Sequence, residues 1–176
     1  VWLNDEKPRA SFDEAVLCSL ESRGVQLELG FEGQPVRHMV DYIIQSPGIA
    51  LDKPALAEAA QAGIRIISEI ELGYLDNKAP IIGITGSNGK TTTTSLLGEI
   101  MQQTARPVFV GGNIGEPFIK AAEALTEDAW AVLELSSFQL EAIHSFRPYI
   151  GVILNLSPDH LDRHKTFENY CQAKLR

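Results

Sequence analysis

The chain has 176 residues, enough for one domain or two small ones, and enough to bury a core without disulfide or metal staples. Hydrophobic residues make up 44% and charged residues 22%, and 15 Lys plus Arg against 23 Asp plus Glu leave a net charge of −8. That acidity argues against a general nucleic-acid or anionic-membrane binder, so no nucleic-acid partner is expected, but it leaves room for a phosphate held by backbone N–H groups and one or two cations.

Residues 1–4 read as a strand entered in its middle. A helix is expected over 11–23, with Ser11 as N-cap, Glu14 three residues on and Gly24 ending it. Residues 25–29 alternate as a strand does, and the apolar run 42–44 is closed by Ser46-Pro47-Gly48, a turn signal. A helix is expected over 52–62, with Pro54 early and Gly63 past its end. A strand over 64–67 follows, and Ser68 can cap a short helix reaching Leu75. The polar Asp76-Asn77-Lys78 ahead of Pro80 marks the expected boundary, with one domain over 1–78 and a second over 79–176.

In the second half a buried strand is expected over 81–84, followed by a glycine-rich loop and a helix over 90–103 with Leu96, Leu97, Ile100 and Met101 on one face. Strands are expected over 107–110, 130–135 and 150–155, and helices over 116–125, 137–145 and from Thr166 onward. Strands separated by helices imply parallel pairing through right-handed crossovers, and helices on both faces make the class α/β. The chain opens inside a strand and stops inside a helix at Ala173-Lys174-Leu175-Arg176, so it is expected to be a piece of a larger protein. Its apolar runs are too short to span a bilayer and no charged-then-apolar leader opens it, so no membrane insertion is expected. Cys18 and Cys171 make no disulfide framework and read as structural residues of a reducing compartment.

In open parallel sheets, ligands sit beyond the carboxyl ends of the strands. Segments 85–92, 111–115, 134–139 and 155–164 should therefore share one rim. The strongest signal among them is Gly86-Ser87-Asn88-Gly89-Lys90-Thr91-Thr92, which follows a strand and opens a helix as a phosphate loop must. Glycines let the backbone wrap an anion and the helix N-terminus aims N–H groups at it. Lys90 would reach the outer phosphates and the Thr91 hydroxyl a Mg²⁺ ion. The usual pattern has a glycine five residues before the Gly-Lys pair, where this chain has Ile84, so the loop is a shortened variant. Glu134 at a strand end suits a Mg²⁺ ligand, and the run Asp159-His160-Leu161-Asp162-Arg163-His164 offers His160 as a nitrogen donor without zinc spacing. A second glycine loop, Gly111-Gly112-Asn113-Ile114-Gly115, can set the Asn113 amide against a polar substrate, or is a plain turn. The residues alone thus point to a Mg²⁺-nucleotide enzyme that moves a phosphoryl group, with the acceptor unnamed.

Taken in order, T-G-S-N-G-K-T-T over 85–92, G-N-I-G over 112–115, E-L-S-S-F-Q-L-E over 134–141, S-P-D-H-L-D-R over 157–163 and A-K-L-R over 173–176 resemble the Mur ligases, across nearly the whole chain. Within that family the E-L-S-S-F-Q-L-E stretch, with S-P-G-I at 46–49 and S-E-I-E-L at 68–72, is similar to the branch that joins D-glutamate to UDP-N-acetylmuramoyl-L-alanine. The resemblance implies a Rossmann-like N-terminal domain without its first strand, and the first part of a P-loop-type central domain with a mainly parallel sheet. It also implies an ATP-dependent ligase of peptidoglycan precursor synthesis, working through an acyl phosphate in the bacterial cytoplasm. The full-length protein would be a monomer, and this chain alone would be inactive. By the same resemblance, Lys90 contacts the transferred phosphate, Thr91 and Glu134 hold one Mg²⁺, and His160 holds a second. Lys174 matches a lysine carbamylated by CO₂, which can then approach Mg²⁺. Asn113 and Ser136 match positions near the substrate's acyl end, and Ser46, Gly48 and Lys7 match the region holding the uridine diphosphate. A folylpolyglutamate synthase shares the loop and the carbamylated lysine, but S-S-F-Q and S-P-G argue against it. A nucleotide-binding domain without catalysis is the remaining alternative.

Overall fold

Strand β1 (Trp2–Asp5) is followed by a 3₁₀ turn (Arg9–Ser11), helix α1 (Glu14–Ser22) and strand β2 (Gln26–Leu29). β1 and β2 pair in parallel, from Trp2 opposite Gln26 to Asp5 opposite Leu29, so the three elements make one βαβ unit. In this computed structural model, which describes residues 1–33 and 38–176, α1 starts later than the sequence suggests. Ser11 closes the 3₁₀ turn through its N–H to Pro8 O (2.8 Å), and Asp13 is the N-cap, its carboxylate accepting from the Ala15 N–H at 2.8 Å. Gly24 ends α1 as expected.

Strand β3 (Tyr42–Gln45), helix α2 (Pro54–Gln61), strand β4 (Arg65–Ser68) and helix α3 (Glu69–Asp76) follow. β3 and β4 are neighbours in a two-stranded sheet. Pro54 opens α2, and Ser68 caps α3 by accepting the Glu71 N–H at 3.3 Å. The chain divides into two compact units, Val1–Ile43 with Leu51–Arg65, and Ile44–Ala50 with Ile66–Arg176. Residues 44–50 and 66–78 thus fall within the second unit by their contacts. The hydrogen bond from Ser68 N to Ala142 O (2.9 Å) is one cause.

The second unit is built on β5 (Ile81–Thr85), α4 (Lys90–Gln102), β6 (Val108–Gly112), α5 (Ile119–Ala122), β7 (Trp130–Glu134), α6 (Ser137–Glu141), β8 (Ile150–Ile153), α7 (Leu161–His164) and α8 (Phe167–Lys174). Its four strands run parallel in the order β6-β7-β5-β8. β5 lies inside the sheet and all five of its residues are buried, which fits a strand covered on both faces. Alternation sends Ile82, Ile84 and Val132 to one face, under Leu97 and Met101 of α4. Ile81, Ala131 and Leu133 go to the other, with Ile70, Phe118, Leu140, Ile143 and Phe146.

Three expectations need correction. In α4 the stripe against the sheet is Thr94, Leu97, Gly98 and Met101, while Leu96 and Ile100 are 59% and 57% exposed. Those two positions sit about 100° around the helix from the buried stripe. The helix expected over 116–125 is only α5, and the helix expected over 137–145 stops at Glu141. Glu71 explains the second stop. Its buried carboxylate accepts the N–H groups of His144 (3.0 Å), Ser145 (2.7 Å) and Phe146 (2.9 Å), donors that a continuing helix would have sent to its own carbonyls.

Candidate functional site: a phosphate loop beside a buried carboxylate

The carboxyl end of β5 runs into the loop 86–89 and then α4. Gly89 takes a left-handed conformation (φ +81°) as the N-cap of α4, which only glycine adopts without strain. The loop is clamped to the segment after β8. Ser87 N–H donates to Asn155 O (3.0 Å), Asn88 N–H to Asn155 Oδ1 (2.9 Å) and Asn155 Nδ2 back to Asn88 O (3.0 Å). Ser87 Oγ contacts Ser157 O (2.9 Å) and Tyr170 OH (2.7 Å) and accepts from Ser157 N–H (2.9 Å). The Ser87 side chain is therefore committed to holding the loop's shape. Lys90 Nζ folds over the loop, donating to Gly86 O (3.0 Å) and Ser87 O (2.9 Å). Thr91 and Thr92 are exposed in the first turn of α4, where helical N–H groups have no intrahelical partner.

Glu134 closes β7 at 2% exposure, so the solvated strand end that an isolated glutamate would suggest is not what forms. Thr91 Oγ1 donates to its Oε2 (2.8 Å) and Asn113 Nδ2 to its Oε1 (2.6 Å). The backbone seals the same corner, because Asn113 N–H donates to Glu134 O (2.9 Å). Gly112 passes it at φ +99°, and a Cβ there would fall 2.5 Å from Glu134 O. The three segments 85–92, 111–115 and 134–139 thus meet at one rim.

Lys174, on the last turn of α8, is buried, with Nζ donating to Thr85 Oγ1 (3.1 Å) and lying 4.9 Å above the Tyr170 ring centre. Thr85 is free to accept because its own hydroxyl proton goes to Leu135 O (2.7 Å). Burial first, and the Lys90 ammonium second, lower the Lys174 amine to about 8. His160 is exposed, holds a left-handed backbone (φ +50°) as the residue before α7, and lies 4.9 Å from the Phe138 ring. Ser136 is the N-cap of α6, and its hydroxyl is used in a capping box with Gln139. Ser46 and Gly48 lie in a turn closed by Ile49 N–H to Ser46 O (2.9 Å), which packs with the second unit, whereas Lys7 lies in the first unit with its N–H on Asp5 Oδ1 (2.8 Å).

For a divalent ion the fit is partial. Among the described residues no three His, Cys, Asp or Glu side chains converge as a metal cluster. Glu134 is nevertheless a buried carboxylate whose two side-chain partners, a hydroxyl and an amide, are both neutral, and burial of that kind favours a nearby cation. Glu134 and Thr91 offer hard oxygen donors, which suit a Mg²⁺ ion that keeps water and phosphate in its remaining positions.

Sequence reasoning missed four side chains that tie the site together. Tyr170, one turn before Lys174, reaches Ser87. Glu141 binds Arg163 through Oε2 (2.8 Å) and His164 through Oε1 (3.1 Å), and His164 Nε2 meets Ser137 Oγ at 2.9 Å. Burial, with the Arg163, His160 and Lys174 charges, outweighs the Glu141 carboxylate and lowers the His164 pKa. Arg163 and His164 stand in the acidic-histidine run already singled out, and Glu141 closes the E-L-S-S-F-Q-L-E motif. Their spacing was visible but their mutual contacts were not.

Residues 84–176, just over half of the chain, match the family described as Mur ligase middle domain. The chain belongs to the Mur ligase family. Among curated Mur ligases, the UDP-N-acetylmuramoylalanine–D-glutamate ligase of Koribacter versatilis is 48% identical over 176 residues, covering 100% of this chain and 39% of that protein. The enzyme of the same name from Solibacter usitatus is 53% identical over 152 residues, covering 86% of this chain and 33% of that protein. This Mur ligase chain thus spans under two-fifths of the length of those relatives. A solved Mur-type structure, the UDP-N-acetylmuramate:L-alanyl-gamma-D-glutamyl-meso-diaminopimelate ligase from Neisseria meningitides, aligns over 98% of this chain and 58% of its own, with a TM-score of 0.53 at 17% identity, a likeness of fold. Among the described residues no helix is long and apolar enough to cross a membrane.

Proposed function

We propose that this chain is part of an ATP-dependent ligase that joins D-glutamate to UDP-N-acetylmuramoyl-L-alanine in peptidoglycan precursor synthesis, working as a monomer in the bacterial cytoplasm. The observation that carries the reading is the buried Glu134 carboxylate, held between Thr91 of the phosphate loop and Asn113 of the second glycine loop. The choice of D-glutamate rests on the names of the relatives and on the E-L-S-S-F-Q-L-E motif.

The chemistry follows from the substrates. A carboxylate is a poor acylating agent, so the L-alanyl carboxylate oxygen first takes the γ-phosphoryl group as the bond to ADP breaks. The amine of D-glutamate then adds to the acyl carbon, loses a proton, and phosphate leaves from the tetrahedral intermediate. Both anions crowd the same point, and preorganised positive groups lower that cost. Lys90 supplies one by moving from the Gly86 and Ser87 carbonyls to the transferred phosphate, with the first N–H groups of α4 beside it. Gly86, Ser87, Asn88, Gly89 and Thr92 complete the nucleotide loop. Mg²⁺ held by Thr91 and Glu134 would supply further neutralisation of the phosphate charge. His160 and a carbamylated Lys174 would hold a second ion, and the lowered Lys174 pKa supports the carbamate by leaving more of the amine free to react with CO₂. By the motif resemblance Asn113 and Ser136 are assigned to the acyl end, and Ser46, Gly48 and Lys7 to the uridine diphosphate.

The test uses the complete enzyme and measures phosphate release. Release should require MgATP, UDP-N-acetylmuramoyl-L-alanine and D-glutamate together, L-glutamate should not substitute, and Lys90→Ala should lower turnover by about three orders of magnitude or more. Release that ignores D-glutamate, or that responds instead to a folate acceptor, overturns the assignment.

A further inference from the structure

Arg163, the last residue of S-P-D-H-L-D-R and without an assigned role there, ties two parts of the second unit together. Arg163 Nη2 donates to Ile49 O (2.9 Å) and Nη1 approaches Pro47 O (3.4 Å), both in the turn that holds Ser46 and Gly48. Nη2 also meets Glu141 Oε2 (2.8 Å), and the guanidinium carbon lies 4.9 Å from the centre of the Phe138 ring. Its own N–H donates to His160 O at 3.0 Å. Gln45 Nε2 adds a second donor to Ile49 O. The planar fork of arginine suits such a set of divergent oxygens, which a lysine point charge cannot reproduce.

The consequence lies on the other side of the turn. In a trans peptide the N–H points opposite to the C=O. With the Pro47 carbonyl turned to Arg163, the Gly48 N–H is turned away from it, and with the Ile49 carbonyl turned to Arg163 the Ala50 N–H is too. Neither N–H has a protein acceptor among the described residues. Two backbone donors without a protein partner, in the turn that carries the exposed Ser46 hydroxyl, are the kind of group that takes a phosphate oxygen.

We propose that Arg163 is a positioning residue, which by holding the Pro47 and Ile49 carbonyls presents the Gly48 and Ala50 N–H groups to the diphosphate of the UDP-linked substrate. This rests on the proposed ligase reading. Arg163 itself does not touch the substrate. It acts through the turn, which its guanidinium ties to Glu141 and to the Phe138 ring.

The experiment measures binding and kinetics on the complete enzyme with Arg163→Met, which keeps an apolar stem over Phe138, and Arg163→Lys, which keeps the charge without the fork. Calorimetry with UDP-N-acetylmuramoyl-L-alanine should show Kd raised about tenfold or more in Arg163→Met and by an intermediate factor in Arg163→Lys. KM for that substrate should follow Kd, while kcat at saturation and Kd for MgATP stay within about threefold of wild type. The MgATP value also reports whether each variant is folded, and Arg163→Lys carries the comparison if Arg163→Met does not fold. An unchanged UDP-substrate Kd in a folded variant, or a fall in kcat with KM unchanged, overturns the positioning role alone. A wild-type enzyme that binds MgATP but no UDP-linked substrate overturns the ligase reading and this inference with it.

Discussion

Glu71 and Glu134 are both 2% exposed carboxylates in the same unit, and their partners give them opposite roles. Glu71 is held by three backbone N–H donors of one turn, with the Ser145 hydroxyl beside them. Glu134 has two neutral side-chain donors, one of them on the exposed Thr91 at the rim. The first is a structural anchor, and the second is the carboxylate that the proposed function assigns to an ion. For Glu71, burial pushes the carboxyl pKa up, the three N–H donors pull it down further, and the net shift is below the ordinary 4.5. A lowered folded pKa contributes stability that is complete above the unfolded value and is lost as pH falls through the folded one. Glu71→Gln keeps the size but sets an NH₂ group against N–H donors, leaving at least one of them unpaired. We expect it to cost about 2–4 kcal/mol near neutral pH. In urea unfolding of the complete protein the gap between wild type and variant should begin to shrink below about pH 4.5, where the unfolded carboxylate protonates, and close as the pH falls through the lower native value. A gap of the same size at about pH 7 and about pH 3 would show that the ionised carboxylate is not what stabilises the 144–146 turn.

Helix α4 shows which features of an element are legible in its sequence. Its start could be read, because a strand, glycines and a lysine announce a phosphate loop. Its inner face could not, because Leu96 and Ile100 are as apolar as Leu97 and Met101, and only the sheet decides which pair it covers. The positions that choose are the small ones. Thr94 is fully buried, and a Cβ on Gly98 would lie 2.5 Å from Val110 Cγ2, so the helix approaches β6 through a gap that glycine leaves. On an exposed helix face Gly→Ala would stabilise by about 1 kcal/mol. Here Gly98→Ala should destabilise instead, by about 1–3 kcal/mol, because Val110 sits in a packed layer with Leu97 and Met101 and cannot withdraw freely. Thermal unfolding of the complete protein checks the sign, and a raised melting temperature would mean that the β6 contact yields. The short helices α5 and α6 had the same limit. A helix from Ser137 was expected, but its end was set by Glu71, a residue 73 positions away from His144 in sequence.

At the scale of the whole chain, the α/β class and the parallel pairing follow from alternating strands and helices, but the order β6-β7-β5-β8 does not. That order places the ends of β5, β7 and β8 side by side, and so brings the phosphate loop against Glu134 on one flank and against residues 155–157 on the other. The rim grouping was legible because it depends only on strand polarity. The ties across it were not, since Ser87 and Tyr170 are 83 positions apart and neither side chain alone announces a partner. Ser87 gathers three contacts at Oγ: Tyr170 OH, Ser157 N–H and Ser157 O. Tyr170→Phe removes one of them and leaves the ring under Lys174, so it should cost about 1 kcal/mol. Ser87→Ala removes all three and leaves the buried Tyr170 hydroxyl without this partner, so it should cost about 2–3 kcal/mol. If the shared hydrogen bond is what couples the loop to α8, the double variant should be only about as unstable as Ser87→Ala, a coupling of about 1 kcal/mol in a double-mutant cycle. Urea unfolding of the four complete proteins measures it. Additive costs would mean that loop and helix are stabilised independently, and that the phosphate loop keeps its shape through Asn155 and Ser157 alone.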